Sequence, residues 1–204
     1  AATAGEVWTA EGFKNPESVL YDPARNVLYV SNVNGGPMDK DGAGHISKLS
    51  IKGAMLEAEW VKGLDAPKGL VMHGDRLFVT DINRLHAIDV NTGKIAGTWT
   101  AEAAKFLNDP AVDDKGRVFV SDFLDHSIYV LDGDSLSLWL KDAALQHPNG
   151  LRVEDGKLLI APWGKDMKED FSTKVGGHLI AVDLASKAIS TVGTGAPVGN
   201  LDGL

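Results

Sequence analysis

Short apolar runs of similar composition recur along the chain. They are VLYVSN at 27–32, RLFVTD at 76–81, RVFVSD at 117–122 and KLLIAP at 157–162. Each run ends in a small residue, usually followed by a polar one, and these small residues, Ser31, Thr80, Ser121 and Ala161, lie 49, 41 and 40 residues apart. Strand-like runs with Gly and Asp turns at such a period are typical of a β-propeller, in which each repeat forms one four-stranded blade. The pattern therefore predicts an all-β repeat protein.

The repeats divide the sequence into blades. We expect one propeller domain over 1–204, with blades at approximately 15–64, 65–106, 107–145 and 146–198, and the opening of a fifth repeat at 199–204. Four repeats and an opening predict the front part of a longer, six-bladed propeller, or a ring completed by self-association of two chains. Residues 5–10 (GEVWTA) are predicted to form a lone strand that completes the last blade.

Three segments depart from the strand pattern. Residues 101–106 and 142–146 are each predicted to form one helical turn, too short to change the all-β interpretation. The insertion WGKDMKEDFSTKVGG at 163–177 is a candidate lid, because long loops on a propeller rim commonly overhang the channel. Asp39, Asp41 and Gly42 resemble a calcium loop, but the twelfth position counted from Asp39 is Ser50, which favours turn formation.

Composition excludes several classes of partner. The chain has 204 residues, 44% of them hydrophobic, and a formal net charge of -8, which opposes binding to nucleic acid. No apolar run approaches the ~20 residues that cross a bilayer, so no membrane association is expected. The small residues of the AATAGE start fit a mature end left by a signal peptidase, or a trimmed chain; periplasmic or secreted localisation is favoured over cytoplasmic. The absence of cysteine excludes disulfides and thiolate metal sites.

One position in each repeat carries the candidate chemistry. In a propeller the turn before the innermost strand of each blade points at the channel mouth, so equivalent positions converge there. This position is occupied by Glu17, Lys68, Asn108 with Asp109, Asn149 and Asp202. Two carboxylates and two amides among them form an oxygen donor set of the kind that Ca²⁺ prefers, whereas zinc fits poorly. Any one of them alone is more often a turn former, but four on different blades favour a metal site.

These motifs resemble a known family. NPESV, FLND, HPNGL and LDGL are similar to the metal-site motifs of the gluconolactonase, regucalcin (senescence marker protein) and lactonase superfamily of six-bladed propellers, and the resemblance covers the whole chain. It implies that Glu17, Asn149 and Asp202 coordinate a divalent cation, usually calcium. It also implies a place for Asn108 beside the metal or substrate, with Asp109 next to it.

The resemblance implies hydrolysis of a lactone or related cyclic ester. The metal would polarise the carbonyl and orient a water, with Asp202 as a possible general base and Asn108 as a catalytic residue. A carboxylate that binds Ca²⁺ loses basicity, which weakens the base assignment. The Arg that sugar lactonases often carry two residues before the Asn is Phe106 here, with Lys105 before it, which does not favour sugar-lactone specificity.

Several side chains have two interpretations. Lys68 either stabilises negative charge on a substrate or is a solvated surface lysine, and the second is favoured. Trp163 either lines a substrate pocket or packs as a structural aromatic, and again the second is favoured. None of the six histidines occupies an obvious equivalent of the histidine pair of paraoxonase-like relatives.

Two other functions stay open at this stage. The chain is either an enzyme or a non-catalytic propeller that binds a small molecule or a protein, with a structural Ca²⁺; the fold is compatible with both. A strictosidine-synthase-like propeller that forms C–N bonds is disfavoured, because no acidic residue in a hydrophobic pocket is identifiable from the sequence.

Overall fold

The computed structural model describes residue 5 and residues 7–204. The chain divides into two compact units, Ala1–Leu70 and Val71–Leu204. Part of the predicted strand at 5–10 lies outside the described residues, and the remainder, residue 5 and residues 7–10, does not form a strand. Trp8 instead lies against Gly53, where an added Cβ would come within 2.5 Å of the indole Cε3 atom.

The first unit contains one complete antiparallel sheet. Its strands, in spatial order, are β1 (Pro16–Asp22), β2 (Val27–Asn32), β3 (Gly44–Ser50) and β4 (Met55–Leu64). The long loop between β2 and β3 is held by acidic side chains: Asp39 Oδ2 accepts from the Gly36 amide at 2.7 Å, and Asp41 Oδ1 accepts from the Ala43 amide at 2.9 Å. These carboxylates therefore form turns, as expected.

The boundary between the units falls within β5 (Pro67–His73). The second sheet has the order β5, β6 (Arg76–Asp81), β7 (Arg84–Asp89) and β8 (Lys94–Thr100). The third consists of β9 (Leu107–Val112), β10 (Val118–Asp122), β11 (Ser127–Asp132) and β12 (Ser135–Lys141). Each hairpin is antiparallel, and several close at a Gly turn; Gly74 and Gly133, for example, have φ values of 58° and 59°.

The fourth sheet is interrupted by the insertion. Its strands are β13 (Pro148–Glu154), β14 (Lys157–Pro162), β17 (Ile180–Asp183) and β18 (Ile189–Thr191). Between β14 and β17, the short strands β15 (Gly164–Lys165) and β16 (Val175–Gly176) pair with each other. The predicted loop at 163–177 therefore contains a small hairpin.

The core of the second unit lies between sheets. The third sheet is buried on both faces: Phe119 and Ile128 pack with Leu151 and Ile160 of the fourth sheet, while Val120 packs on the other side with residues of the second. This explains why β10 reads as a continuous apolar run rather than an alternating one. The fourth strands are the exposed ones; β12, for example, is exposed or half-buried throughout.

The helical turns were predicted with mixed success. Residues 143–145 form a 3₁₀ turn, capped by Asp142, whose Oδ1 accepts from the Ala144 amide at 2.8 Å. The prediction for 101–106 is wrong: the segment forms a non-helical turn closed by the Ala104 amide on the Ala101 carbonyl, and Asp122 accepts from the amides of Lys105 and Phe106. Side-chain acceptors here replace helical hydrogen bonds.

Among the described residues, we find no helix with the length and apolar character required to span a membrane.

Candidate functional site

Glu17, Lys68, Asn108, Asp109 and Asn149 lie on the first strands of their repeats, whereas Asp202 does not lie on a strand. Glu17 is exposed on β1 and Lys68 is buried on β5, both in the first unit. In the second unit, Asn108 and Asp109 lie on β9, Asn149 lies on β13, and Asp202 lies in the segment after β18.

The three predicted ligands of the second unit meet. Asn108 Nδ2 donates to Asn149 Oδ1, and Asn149 Nδ2 donates to Asp202 Oδ1 at 2.9 Å. Asn108 and Asn149 are buried, whereas Asp202 is exposed. Side chains 41 and 53 residues apart in the sequence thus form one continuous hydrogen-bonded chain.

A glycine makes room for the last member of this chain. Gly150 has no side chain, and the backbone of Asp202 and Gly203 lies where its Cβ would be: a Cβ built there would come within 2.9 Å of Gly203 Cα. The Pro-Asn-Gly sequence therefore provides both a side-chain oxygen and the space that brings Asp202 to it.

Two hydroxyl groups fix the backbone that carries the asparagines. Thr80 Oγ1 donates to the Asn108 carbonyl, and Ser121 Oγ donates to the Asn149 carbonyl at 2.8 Å. Ser121 Oγ also accepts from the Asp109 amide at 2.9 Å. In the second and third repeats, the small residue that ends the second strand therefore holds the site residue of the next blade.

Asp109 joins the third and fourth sheets rather than the hydrogen-bonded chain. Its Oδ2 accepts from the Leu151 amide at 2.7 Å. Although part of the residue reaches the surface, the carboxyl group is enclosed by protein. This burial, together with the charge of Asp202, raises the pKa of Asp109 to about 7 against the opposing effect of the Leu151 amide.

The donor set fits a hard cation. Among the described residues no cluster of three or more His, Cys, Asp or Glu has metal-binding geometry. The convergent group consists instead of two amides and one carboxylate, all able to present oxygen, which suits Ca²⁺ and not zinc. Because hydrogen-bonded amides can turn their Oδ1 atoms toward an ion, Asn108, Asn149 and Asp202 would be the residues of the second unit that hold it.

The structure shows the surroundings of Lys68 and Trp163, for which the sequence left two interpretations each. The favoured interpretation of Lys68 as a solvated lysine is wrong: its side chain is buried, and Nζ donates to the carbonyls of Pro37 and Ala66 at 2.9 Å each. Trp163 Nε1 donates to the Phe171 carbonyl at 2.8 Å, and its ring meets Phe123 edge-on at 5.9 Å. Trp163 therefore packs within the insertion and against the β10–β11 loop.

The structure also brings together a histidine pair that sequence reasoning missed. The rings of His126 and His147 lie 4.1 Å apart, and the His147 amide donates to His126 Nδ1 at 3.0 Å. Both residues, and Gln146, have positive φ values. No recurring pattern marks these positions, so their proximity follows only from the packing of the β10–β11 loop against the turn before β13.

Comparison with known proteins identifies the fold alone. No protein-family model matches the chain, and no curated protein matches it. Among solved structures, it is similar to a chain of a nidogen/laminin complex, at 17% identity and a TM-score of 0.66, over 92% of this chain and 66% of that one. It is also similar to virginiamycin B lyase from Staphylococcus aureus, at 12% identity and a TM-score of 0.62, over 91% of this chain and 57% of that one.

A third similar structure is a calcium-binding protein, regucalcin, from Agrobacterium tumefaciens, at 15% identity and a TM-score of 0.57, over 76% of this chain and 55% of that one. The chain spans about half to two thirds of the length of these structures. The four-stranded antiparallel sheets and these neighbours confirm the predicted fold class. The chain therefore forms part of a β-propeller.

Proposed function

We propose that this protein is a Ca²⁺-dependent hydrolase of lactones or related cyclic esters. The observation that carries the proposal is the convergence of Asn108, Asn149 and Asp202, from three separate segments, into one group of oxygen donors. The similarity to a calcium-binding regucalcin is consistent with such a site. Glu17 is proposed as a further ligand on its sequence motif alone.

The protein residues have distinct roles in this proposal. Asn108, Asn149 and Asp202 bind the cation, and Thr80 and Ser121 hold the backbone from which the two amides extend. A cation held by these residues would supply Lewis-acid polarisation of an ester carbonyl. Asp109 fastens the third sheet to the fourth through the Leu151 amide and so keeps Asn108 and Asn149 in register.

Chelation and mutation test the proposal together. The protein is stripped with EGTA, titrated calorimetrically with Ca²⁺, and assayed on a panel of aliphatic and sugar lactones. We expect turnover to be lost on chelation, restored by Ca²⁺ and abolished in Asn149→Ala, with Ca²⁺ affinity reduced by more than about tenfold. Asn91→Ala, in an exposed hairpin turn, is the matched control and should leave both unchanged.

Binding and catalysis have separate outcomes. Ca²⁺ binding without turnover of any lactone would contradict the hydrolase and favour a propeller that binds a small molecule or a protein, with a structural cation. Lactone turnover that survives both chelation and Asn149→Ala would contradict the metal-dependent mechanism.

A further inference from the structure

A cavity of about 280 Å³ lies beside β17 and β18 of the fourth sheet, and none of the proposed cation ligands lines it. Its other borders are the turn at 143–145 and strand β15 of the insertion. The volume lies just below the range of about 300–1,000 Å³ that is typical of small-molecule sites. A ligand of only a few carbon atoms would therefore fit.

The pairing of β17 with β18 indicates which of their side chains face the cavity. Ile180, which lines it, lies opposite Thr191, and opposite residues of an antiparallel pair place their side chains on the same face of the sheet. Because Ile180 packs in the core between the third and fourth sheets, Thr191 lies on that face too. Ser190 lies on the other face, where its Oγ donates to the Ala181 carbonyl at 3.3 Å. Thr191 therefore directs its side chain to the cavity, and Ser190 does not.

His178 lies on the same face as Ile180. The ladder continues past the end of β17, since the Val192 amide donates to the Leu179 carbonyl at 3.0 Å. Side chains two residues apart in an extended chain point to the same face, so His178 faces the cavity that it lines. Its ring has no hydrogen bond to a described residue. An imidazole carries at least one N–H whether it is neutral or protonated, so His178 provides a hydrogen-bond donor in both states.

The hairpin of the insertion brings Lys165 to the cavity. In that hairpin Lys165 pairs with Val175. The Gly164 amide donates to the Gln146 carbonyl at 3.1 Å, which fixes β15 against the turn before β13. Gly164 permits the close approach of the two short strands, because a Cβ there would meet the Val175 carbonyl. The Lys165 side chain is exposed, and its ammonium group on a flexible four-carbon stem can turn into the cavity.

The charges around the cavity favour an anion. Lys165 has no ion pair within the described part of the chain, whereas Lys141, for example, pairs with Asp125. No Asp or Glu is among the described residues that line the cavity, although the chain as a whole has a formal net charge of -8. Asp166, which follows Lys165, is exposed and lines a neighbouring cavity instead. An ammonium group beside an N–H donor and an O–H donor matches an anion that accepts hydrogen bonds.

One wall of the cavity is apolar. Ile180 has only 2% of its surface exposed, and Ile189 is half-buried and packs against the same core. Both residues line the cavity. An inorganic anion such as phosphate would lose water at this wall and gain no hydrogen bond there, whereas a short aliphatic chain is stabilised by leaving water. The lining therefore favours an anion with an aliphatic part over a fully polar one.

We propose that this cavity binds a small aliphatic monocarboxylate. Its carboxylate group accepts hydrogen bonds from Lys165, His178 and Thr191. Its aliphatic chain lies against Ile180 and Ile189. Binding requires no cation and does not depend on the proposed hydrolase, since no ligand of the proposed metal centre takes part.

Nuclear magnetic resonance of the ¹⁵N-labelled protein provides the test. The protein is first stripped of cations with EGTA and dialysed, so that no carboxylate can bind through a metal ion. Butanoate, the uncharged butanamide of nearly the same shape, and phosphate are then titrated at constant ionic strength. We expect saturable shifts of the backbone amides of His178 and Thr191 with butanoate. Butanamide should bind at least about tenfold more weakly, because hydrogen bonds to a charged group are stronger. Phosphate should also bind at least about tenfold more weakly, because it leaves the apolar wall uncovered.

Two matched pairs of variants separate this site from general effects of charge and polarity. Lys165→Gln should weaken butanoate binding at least about threefold, whereas Lys168→Gln, which removes the same charge from an exposed lysine outside the cavity, should not. Thr191→Val should also weaken it at least about threefold. Ser190→Ala removes a hydroxyl group from the other face of β18 and should bind butanoate as the wild type does. Unchanged amide shifts in the third sheet show that each variant is folded.

The proposal is overturned if butanoate gives no saturable shifts, or if butanamide or phosphate binds as tightly as butanoate does. It is likewise overturned if Lys165→Gln and Lys168→Gln bind butanoate equally well, or if Ser190→Ala loses as much affinity as Thr191→Val.

Discussion

Residues with little or no side chain determine the geometry of the candidate site. Gly150 leaves the space that the Asp202 backbone occupies. The hydroxyls of Thr80 and Ser121 donate hydrogen bonds to the backbone carbonyls of Asn108 and Asn149, respectively. The oxygen donors are therefore positioned by neighbours that would not coordinate an ion themselves.

Adding one methyl group at Gly150 tests this steric arrangement. Gly150→Ala should displace the 202–203 backbone and weaken Ca²⁺ binding by about tenfold or more, because Asp202 can no longer reach Asn149. Gly203→Ala is the matched control, since a Cβ there meets nothing within 4 Å. Calorimetric titration makes the measurement, and equal affinities in the two variants would contradict the steric role.

Removing one hydroxyl tests the backbone anchor. Ser121 is fully buried, and Ser121→Ala leaves the Asp109 amide and the Asn149 carbonyl without this partner. We expect the free energy of unfolding to fall by about 1–3 kcal/mol. Ser137→Ala, on the exposed strand β12, should change it by less than about 0.5 kcal/mol. Urea unfolding compares them, and equal losses would refute a specific anchoring role.

At the level of secondary-structure elements, the second strands of the second and third repeats provide the anchors, and the first strands of the third and fourth repeats carry the asparagines that they hold. The polar residue that follows the anchor has a related task. Asp122 accepts from the amides of Lys105 and Phe106, and Asn32 of the first unit accepts from the Lys14 amide. In the first and third repeats, the polar residue of this ending thus accepts hydrogen bonds from the chain just before the first strand.

The loop between β10 and β11 is held by an ionic contact whose pH dependence can be derived. Asp125 bonds to Lys141 at 2.6 Å and to Lys105 at 2.9 Å. Burial raises the pKa of Asp125, but hydrogen bonds and charges from the two lysines outweigh it and lower the pKa to about 2. A folded pKa below the ordinary value of 3.8 stabilises the protein above about pH 4, and this stabilisation is lost as the pH falls toward 2.

This pH dependence is tested by comparing the thermal unfolding of Asp125→Asn and of the wild type across a range of pH. The variant should be less stable than the wild type at pH 6 by about 0.2–1 kcal/mol for each ion pair, with the gap closing between about pH 4 and 2. Added salt should narrow the gap at pH 6. Asp134→Asn, in an exposed turn, is the control. A stability difference between Asp125→Asn and the wild type that does not change with pH would contradict the ionic role of Asp125.

The terminal segment bonds to the insertion at 163–177 through backbone hydrogen bonds between Gly177 and residues 198–199 and through one side chain. Asn200 Nδ2 donates to the Trp163 carbonyl at 2.7 Å and to Thr173 Oγ1 at 2.8 Å. In Asn200→Ala we expect faster amide hydrogen exchange across 163–177, with β14 unchanged, because these contacts limit local opening. Unchanged exchange in the insertion would contradict a role of the Asn200 side chain in limiting its opening.

For the whole molecule, the sequence predicted what depends on repetition and missed what depends on single contacts. The period and the strand endings predicted the four-stranded sheets and placed Asn108, Asn149 and Asp202 at equivalent positions. The burial of Lys68 and the meeting of His126 with His147 follow from loop packing that no period encodes. The helical turn predicted at 101–106 does not form, because Asp122 accepts from the amides of Lys105 and Phe106 instead.

The central claim is that oxygen atoms distant in sequence share one cation. A crystal structure of the protein grown with CaCl₂, with anomalous diffraction to identify the ion, tests it most directly. The account predicts Ca²⁺ within about 2.3–2.6 Å of side-chain oxygens of Asn108, Asn149 and Asp202. An intact hydrogen-bonded chain of these three side chains with no ion beside it, at saturating Ca²⁺, would contradict the account.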